Sequence, residues 1–241
     1  MGSDLLFKIL NDVARWGKPL IEIVPVNYGE LFLRKDWLWI LETISQKLPH
    51  TQIVLPTNGK LVTEDVARQL CSIPTLKIIN FSINAYFDET YKAFMGLPPE
   101  TMTQIKDMML LIKLLRKDLF LVASMVFDPA YISDLQRDLF YTYWKEYALP
   151  QILPAASAGR GTPIKIPRVI PCRSIFSDFV VGYDGKLSSC CFDPNFSAYD
   201  LGYYSGDLLR DWRSEQFQEF RRLHNEGKRQ KIPLCRECTF E

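Results

Sequence analysis

Five of the six cysteines in this 241-residue chain fall between residues 172 and 238, and that placement limits what the last third can be. Cys172 is followed by seventeen residues, the adjacent pair Cys190 and Cys191, forty-three more residues, and then Cys235-Arg-Glu-Cys238. Two thiolates separated by two residues grip one metal centre from a single tight turn. More distant thiolates complete the shell when folding brings their segments together. The layout is that of a four-ligand site with Cys235 and Cys238 as its clip. Zinc and a 4Fe-4S cluster both accept four thiolates, so the spacing does not choose between them. The competing reading makes Cys172 a buried thiol, Cys190 and Cys191 ordinary strand residues, and Cys235 with Cys238 a redox pair. Such a pair belongs just after a strand of a βαβ unit, whereas this one follows Ile232-Pro-Leu234, and a metal is preferred.

Between the halves of the quartet, residues 179–191 read as two short strands joined at Asp184-Gly185, a dipeptide suited to a tight turn with positive φ. On a strand Cys190 and Cys191 would point to opposite faces, so only one, with Cys190 favoured, would reach the metal. Leu208, Leu209, Trp212, Phe217, Phe220 and Leu223 fit one or two amphipathic helices, Ser214 capping the second and Gly227 ending it. The basic run Lys228–Lys231, with Arg221 and Arg222 upstream, reads as a solvated face.

Upstream, strand and helix patterns alternate. Ser3 caps a helix over residues 3–16 that Gly17 ends. Leu20 to Val26 reads as a buried strand with Pro25 near its end. A helix opened by Asp36 and carrying Trp37, Ile40, Leu41 and Ile44 follows. Thr51 to Leu55 is the next strand, then the turn Pro56-Thr-Asn-Gly59, and a helix from Thr63 to Cys71, where Cys71 reads as a small buried residue. Lys77 to Asn84 is a strand, Asp88 to Phe94 a short helix, and Met102, Ile105, Met109 and Ile112 mark a longer one. Strand 119–127, an aromatic-rich helix over 133–147 and a strand over 149–155 complete the series. Strands separated by helices pair in parallel through right-handed crossovers, so the fold class is α/β and barrel-like, with a doubly wound sheet as the alternative. Residues 154–171, rich in Ala, Ser, Gly and Pro, read as a linker, which places one domain at 1–157 and a second at 158–241.

The composition, 47% apolar and 24% charged with a net charge of +1, describes a soluble globular protein without a basic field for nucleic acid. No apolar run is long enough to span a bilayer and no signal peptide is evident, so a cytoplasmic location is expected. Thiols clustered in a reducing compartment favour metal over disulfides.

In parallel α/β folds ligands gather where the strands end at their carboxyl side. Asn27-Tyr-Gly-Glu30 lies after the first strand, its Gly29 allowing close approach and its Glu30 able to accept hydrogen bonds from an ammonium group. Thr57-Asn58-Gly59 follows the second strand. Ser82 and Asn84 end the third, on one side at strand period.

The run Pro171-Cys172, Tyr183-Asp-Gly-Lys186, Ser189-Cys-Cys-Phe-Asp193, Leu201-Gly202, Leu208 to Trp212, Phe220-Arg-Arg-Leu-His224 and Pro233-Leu-Cys-Arg-Glu-Cys238 resembles the SPASM-type extension of radical S-adenosylmethionine enzymes. The resemblance implies an auxiliary 4Fe-4S cluster on Cys172, Cys190 or Cys191, Cys235 and Cys238. It implies a partial (β/α)6 barrel, strands two to six, ahead of a small hairpin-plus-helix domain. Gly29-Glu30 falls where the family's Gly-Gly-Glu-Pro motif holds the methionyl amine of the cofactor, with Tyr28 and Leu31 departing from it. Thr57, Asn58, Ser82 and Asn84 fall at further cofactor-contacting positions. The family's Cys-x-x-x-Cys-x-x-Cys motif for the catalytic cluster has no counterpart in this sequence, so the chain alone is not expected to cleave S-adenosylmethionine, and the enzyme would be a longer parent. A truncated reading of a longer gene is the corresponding expectation, with the strand at 20–26 left as an open edge and Leu6, Phe7 and Leu10 partly uncovered. The substrate class (peptide, protein or small metabolite) is left open, and neither nucleic acid nor membrane is expected as a partner. The alternative from another class is a non-catalytic binding module, a degenerate barrel whose cysteine quartet holds a structural zinc.

Overall fold

The structure is a computed structural model describing residues 1–17, 20–155, 170–197, 199–236 and 238. It divides into two compact units, one of residues 18–155 and the other of residues 1–17 with 156–241.

Helix α1 (Ser3–Ala14) belongs to the second unit; the first is an alternation of strands and helices. In order these are β1 (Glu22–Ile23), α2 (Trp37–Lys47), β2 (Gln52–Thr57), α3 (Glu64–Cys71), β3 (Leu76–Ser82), α4 (Asp88–Met95), α5 (Glu100–Leu115), β4 (Phe120–Phe127), α6 (Asp134–Trp144) and β5 (Leu149–Pro154). The five strands form one parallel sheet in the order β1-β2-β3-β4-β5. Spatial order equals chain order, whereas a doubly wound sheet reverses at a switch point. With right-handed crossovers this order puts every connecting helix on the same face, which is the wall of a (β/α) barrel.

The strand period explains the core. Ile53, Leu55, Ile79, Phe81, Ala123 and Met125 are fully buried on the helix-facing side, as are Ala67 and Leu70 of α3 and Ile105, Met109 and Ile112 of α5. Residues of opposite parity, Val54, Pro56, Asn80 and Ser82, are only half-buried, and the register sets Ser82 beside Ser124. Thr63 and Ser133 cap α3 and α6 by accepting from Val66 N and Gln136 N.

The first strand is not the buried strand expected over residues 20–26. Only Glu22 and Ile23 pair, and Ile21 and Val24 are 87% and 45% exposed. Apolar composition without alternation did not distinguish a core strand from an edge. Ser3 is the first residue of α1, with Gly2 in the N-cap position, and the Asp36 carboxylate pairs with Arg34 instead of capping α2. Cys71 is half-buried, not buried.

The second unit contains α1, α7 (Ser174–Ser177), β6 (Val180–Val181), β7 (Leu187–Ser188), α8 (Leu208–Trp212), α9 (Glu215–Asn225) and α10 (Pro233–Arg236). Helix α1, expected to belong with the barrel, groups here instead. The reason is Asp12, 4% exposed, whose Oδ2 accepts from Leu208 N at 2.7 Å and from the Tyr204 hydroxyl at 3.3 Å. A buried carboxylate needs such donors, and they come from the C-terminal segment. Leu10, expected to be partly uncovered, is 1% exposed; Phe7 is 43% exposed. Arg221 ties the helices of this unit together. Its guanidinium lies 3.7 Å over the Trp212 ring and donates to Ile175 O and Trp212 O. The expected domain boundary near residue 157, and most of the linker, lie outside the described residues.

Candidate functional site

The antiparallel pair β6-β7 is the expected hairpin, with Gly185 at φ +90° in its turn. The strands are two residues each, so β7 ends at Ser188 and neither Cys190 nor Cys191 is a strand residue. The alternation argument for those two cysteines therefore does not apply. Ser188 Oγ accepts from Cys190 N at 3.1 Å and turns the chain. Both thiols reach the same place: Cys172, Cys190, Cys191, Cys235 and Cys238 all line one small cavity, closed by Ile175, Phe192, Phe220 and Leu234. Among the described residues no disulfide joins them, and no three His, Cys, Asp or Glu side chains form a group ready to hold a single metal ion.

Burial dominates the electrostatics. It pushes the Cys190 and Cys235 thiols up to about 12, because a thiolate loses its hydration there. Mutual repulsion adds to this: Cys190, Cys238 and Cys172 oppose ionisation of Cys235, and Cys191, Cys238 and Cys172 oppose that of Cys190. Cys191 is also raised, by burial first and then by the Asp178 carboxylate ahead of its cysteine neighbours. Four thiolates can share this space only if a cationic centre compensates them.

Three polar side chains complete the site. Arg229 is 4% exposed and lines the cavity. Its Nε donates to Cys235 O at 3.4 Å and its Nη1 to Ile170 O at 3.2 Å. Ser189, fully buried, also lines the cavity, and its hydroxyl has no partner among the described residues. His224, 0% exposed, accepts the Cys172 N–H at Nδ1, 3.3 Å away. Burial, with Arg229 nearby, lowers its pKa to about 4, so the ring is neutral and this hydrogen bond assigns its proton to Nε2. The sequence reading missed all three. Arg229 and Arg221 sit in runs read as a solvated basic face, yet Arg229 is buried and Arg221 is packed on rings. His224 had a usable signal, since it follows Phe217 and Phe220 at helical spacing on the apolar face of α9.

At the carboxyl ends of the strands, three predicted residues converge. Glu30 Oε2 accepts from Thr57 Oγ1 at 3.0 Å and from Asn58 N at 2.8 Å. Among the described residues its Oε1 accepts only the long 3.5 Å contact from Phe32 N. Thr57 Oγ1 in turn accepts from Gly59 N, and Asn58 Oδ1 from Lys60 N. Gly29, at φ +95°, lets the loop turn before Glu30. Ser82 ends β3, and Asn84, two residues on at φ +61°, donates to Met95 Sδ and accepts from Val126 N. Asn84 thus braces β3 against β4 and lies past the strand, so strand parity does not pair it with Ser82.

Gly59 requires glycine on two counts. Its φ is +76°, and an added Cβ would lie 2.5 Å from Ile105 Cγ1 and 3.1 Å from Phe81 Cδ1. A left-handed L-residue costs about 1–2 kcal/mol and overpacking a core about 1–3 kcal/mol. Gly59→Ala is expected to lower the stability of the sheet unit by roughly the sum of these, read as a reduced urea midpoint. An unchanged midpoint would contradict the packing described.

Residues 172–239 match the family model described as the SPASM iron-sulfur cluster-binding domain. A search of curated proteins found no match. Among solved structures, BtrN in complex with AdoMet and 2-DOIA is similar over 100% of this chain and 80% of its own, at 19% identity and a TM-score of 0.65. Native anSMEcpe with bound AdoMet is similar over 99% and 80%, at 16% identity and a TM-score of 0.71. The same protein with bound AdoMet and Cp18Cys peptide gives 99% and 81%, 16% identity and 0.69. At these identities the likeness is one of fold. Residues 172–239 are thus a SPASM iron-sulfur cluster-binding domain by family match, and the chain shares the fold of these AdoMet-bound structures.

Proposed function

We propose that the C-terminal unit holds an auxiliary 4Fe-4S cluster through Cys172, Cys190, Cys235 and Cys238, and that the strand ends of the sheet unit contribute to an S-adenosylmethionine site. The chain then works as the C-terminal part of a radical S-adenosylmethionine enzyme. It is inactive alone, because its sequence contains no Cys-x-x-x-Cys-x-x-Cys segment for the catalytic cluster. The observation that carries the reading is the gathering of five cysteines from three separate segments around one cavity. The cavity also fits the group in its polar lining: the Ser189 hydroxyl awaits an acceptor and the Arg229 guanidinium brings positive charge to the thiolates.

When bound, such a cluster would supply one-electron redox capacity. The residues of the chain hold and insulate it. His224 fixes the backbone at Cys172, Arg229 fixes the carbonyl of Cys235, and Ile175, Phe192, Phe220 and Leu234 keep water from the thiolates. At the strand ends Glu30 is pre-oriented by Thr57 and Asn58, leaving Oε1 directed to an ammonium donor such as the methionyl amine.

Two measurements test the two halves. Anaerobically reconstituted protein should be brown, with the broad visible absorption of a thiolate-ligated iron-sulfur cluster; a colourless protein with one zinc would support the binding-module alternative. For the strand-end site, Glu30→Gln keeps an acceptor for Thr57 and Asn58 but removes the charge. It should weaken S-adenosylmethionine binding by calorimetry about tenfold or more, since a hydrogen bond to a charged group contributes about 1.5–3 kcal/mol. Equal affinity in the variant and the parent chain would remove Glu30 from that site.

A further inference from the structure

Arg229 is a buried cation whose counter-charge is not supplied by any described side chain of the unit. It is 4% exposed, and its two hydrogen bonds go to backbone carbonyls, Cys235 O and Ile170 O. Among the described residues no carboxylate lies within ion-pair distance of it. Burying a charge without a partner is costly enough that folded proteins pair such groups. What Arg229 does face is the cavity of the five thiols. The guanidinium therefore brings a positive charge to this wall of the cavity.

We propose that Arg229 is the charge-compensating residue of the cluster in this cavity, paired with the cluster as a whole, and that it raises the reduction potential of that cluster. The inference rests on the cluster reading above. A cluster held by thiolates is anionic and gains one more negative charge on reduction, so a nearby buried cation stabilises the reduced form more than the oxidised form.

The test compares the chain with Arg229→Met and Arg229→Lys, each reconstituted anaerobically, analysed for iron and sulfide, and titrated redox-potentiometrically by visible absorption or electron paramagnetic resonance. Arg229→Met should move the midpoint to lower potential by a factor of about ten or more in the one-electron equilibrium, about 59 mV. Arg229→Lys should stay within that window of the parent. If Arg229→Met fails to assemble the cluster while Arg229→Lys assembles it, the requirement for charge is supported at the level of assembly. Overturning results are a Met variant with full iron and an unchanged midpoint, a Lys variant shifted as far as Met, or two variants with native circular dichroism and no cluster in either. A parent chain that takes up no iron would instead sink the cluster reading itself, and this inference with it.

Discussion

Replacing Cys235 or Cys238 with alanine is expected to strip the C-terminal unit of iron and loosen it, while the parallel sheet stays folded. The clip occupies α10 and the residues after it, where Cys238 N donates to Cys235 O and Cys235 N to Ile232 O. These are weak local bonds on a single helical turn, and such a turn does not hold itself together in water. Among the described residues the apolar core of the unit outside α1 is small, made of Ile175, Leu187, Leu201, Leu208, Phe217, Phe220, Leu223 and Ile232. A core of that size supplies about 3–5 kcal/mol, whereas a thiolate metal site contributes apparent binding energy of about 10 kcal/mol that is expressed as folding. Loss of either clip thiolate should therefore remove most of the stability of residues 170–238. The sheet unit has its own buried core and no cysteine in the quartet. Proteolysis with mass-spectrometric mapping should show cuts confined to the C-terminal segment, together with iron at background. Full iron content in either variant would show that the four-ligand assignment is wrong.

The second large effect separates adjacent residues. Cys190→Ser is expected to abolish cluster retention, and Cys191→Ser to leave iron and sulfide near parent levels. Both thiols line the cavity, so position alone does not decide between them. Their surroundings do. Cys190 is among the thiols whose charge opposes ionisation of Cys235, while the first charge acting on Cys191 is the Asp178 carboxylate. A cluster thiolate is anionic, and a carboxylate beside it works against binding. Cys190 is also anchored by its N–H to Ser188 Oγ, which fixes where its side chain starts. Equal iron loss in the two variants would contradict the single-ligand assignment, and loss in Cys191→Ser alone would reverse it.

Particular residues show how far the sequence alone could be read. The sheet was legible because its strands alternate, as at Ile53, Leu55 and Thr57, and because Thr63, Ser133 and Ser214 are real caps. The cysteine cavity was legible because thiols have few other reasons to recur in that order. Three things were not. The stretch 20–26 is apolar but contributes only two paired residues, and periodicity in so short a run carries no information about burial. The companionship of α1 with the C-terminal unit depends on Asp12 meeting Tyr204 and Leu208, a contact across more than 190 positions that no local pattern encodes. Arg229 looked like one more surface cation, because in a run such as Lys228-Arg-Gln-Lys231 nothing local marks which side chain turns inward.

The most direct test of the central claim is the metal itself. Protein made and purified without oxygen should contain about four iron and about four acid-labile sulfide per chain and negligible zinc, with all of it lost in Cys235→Ala. One zinc per chain, no sulfide and an unchanged fold would contradict the account and make the cysteine quartet a structural clip.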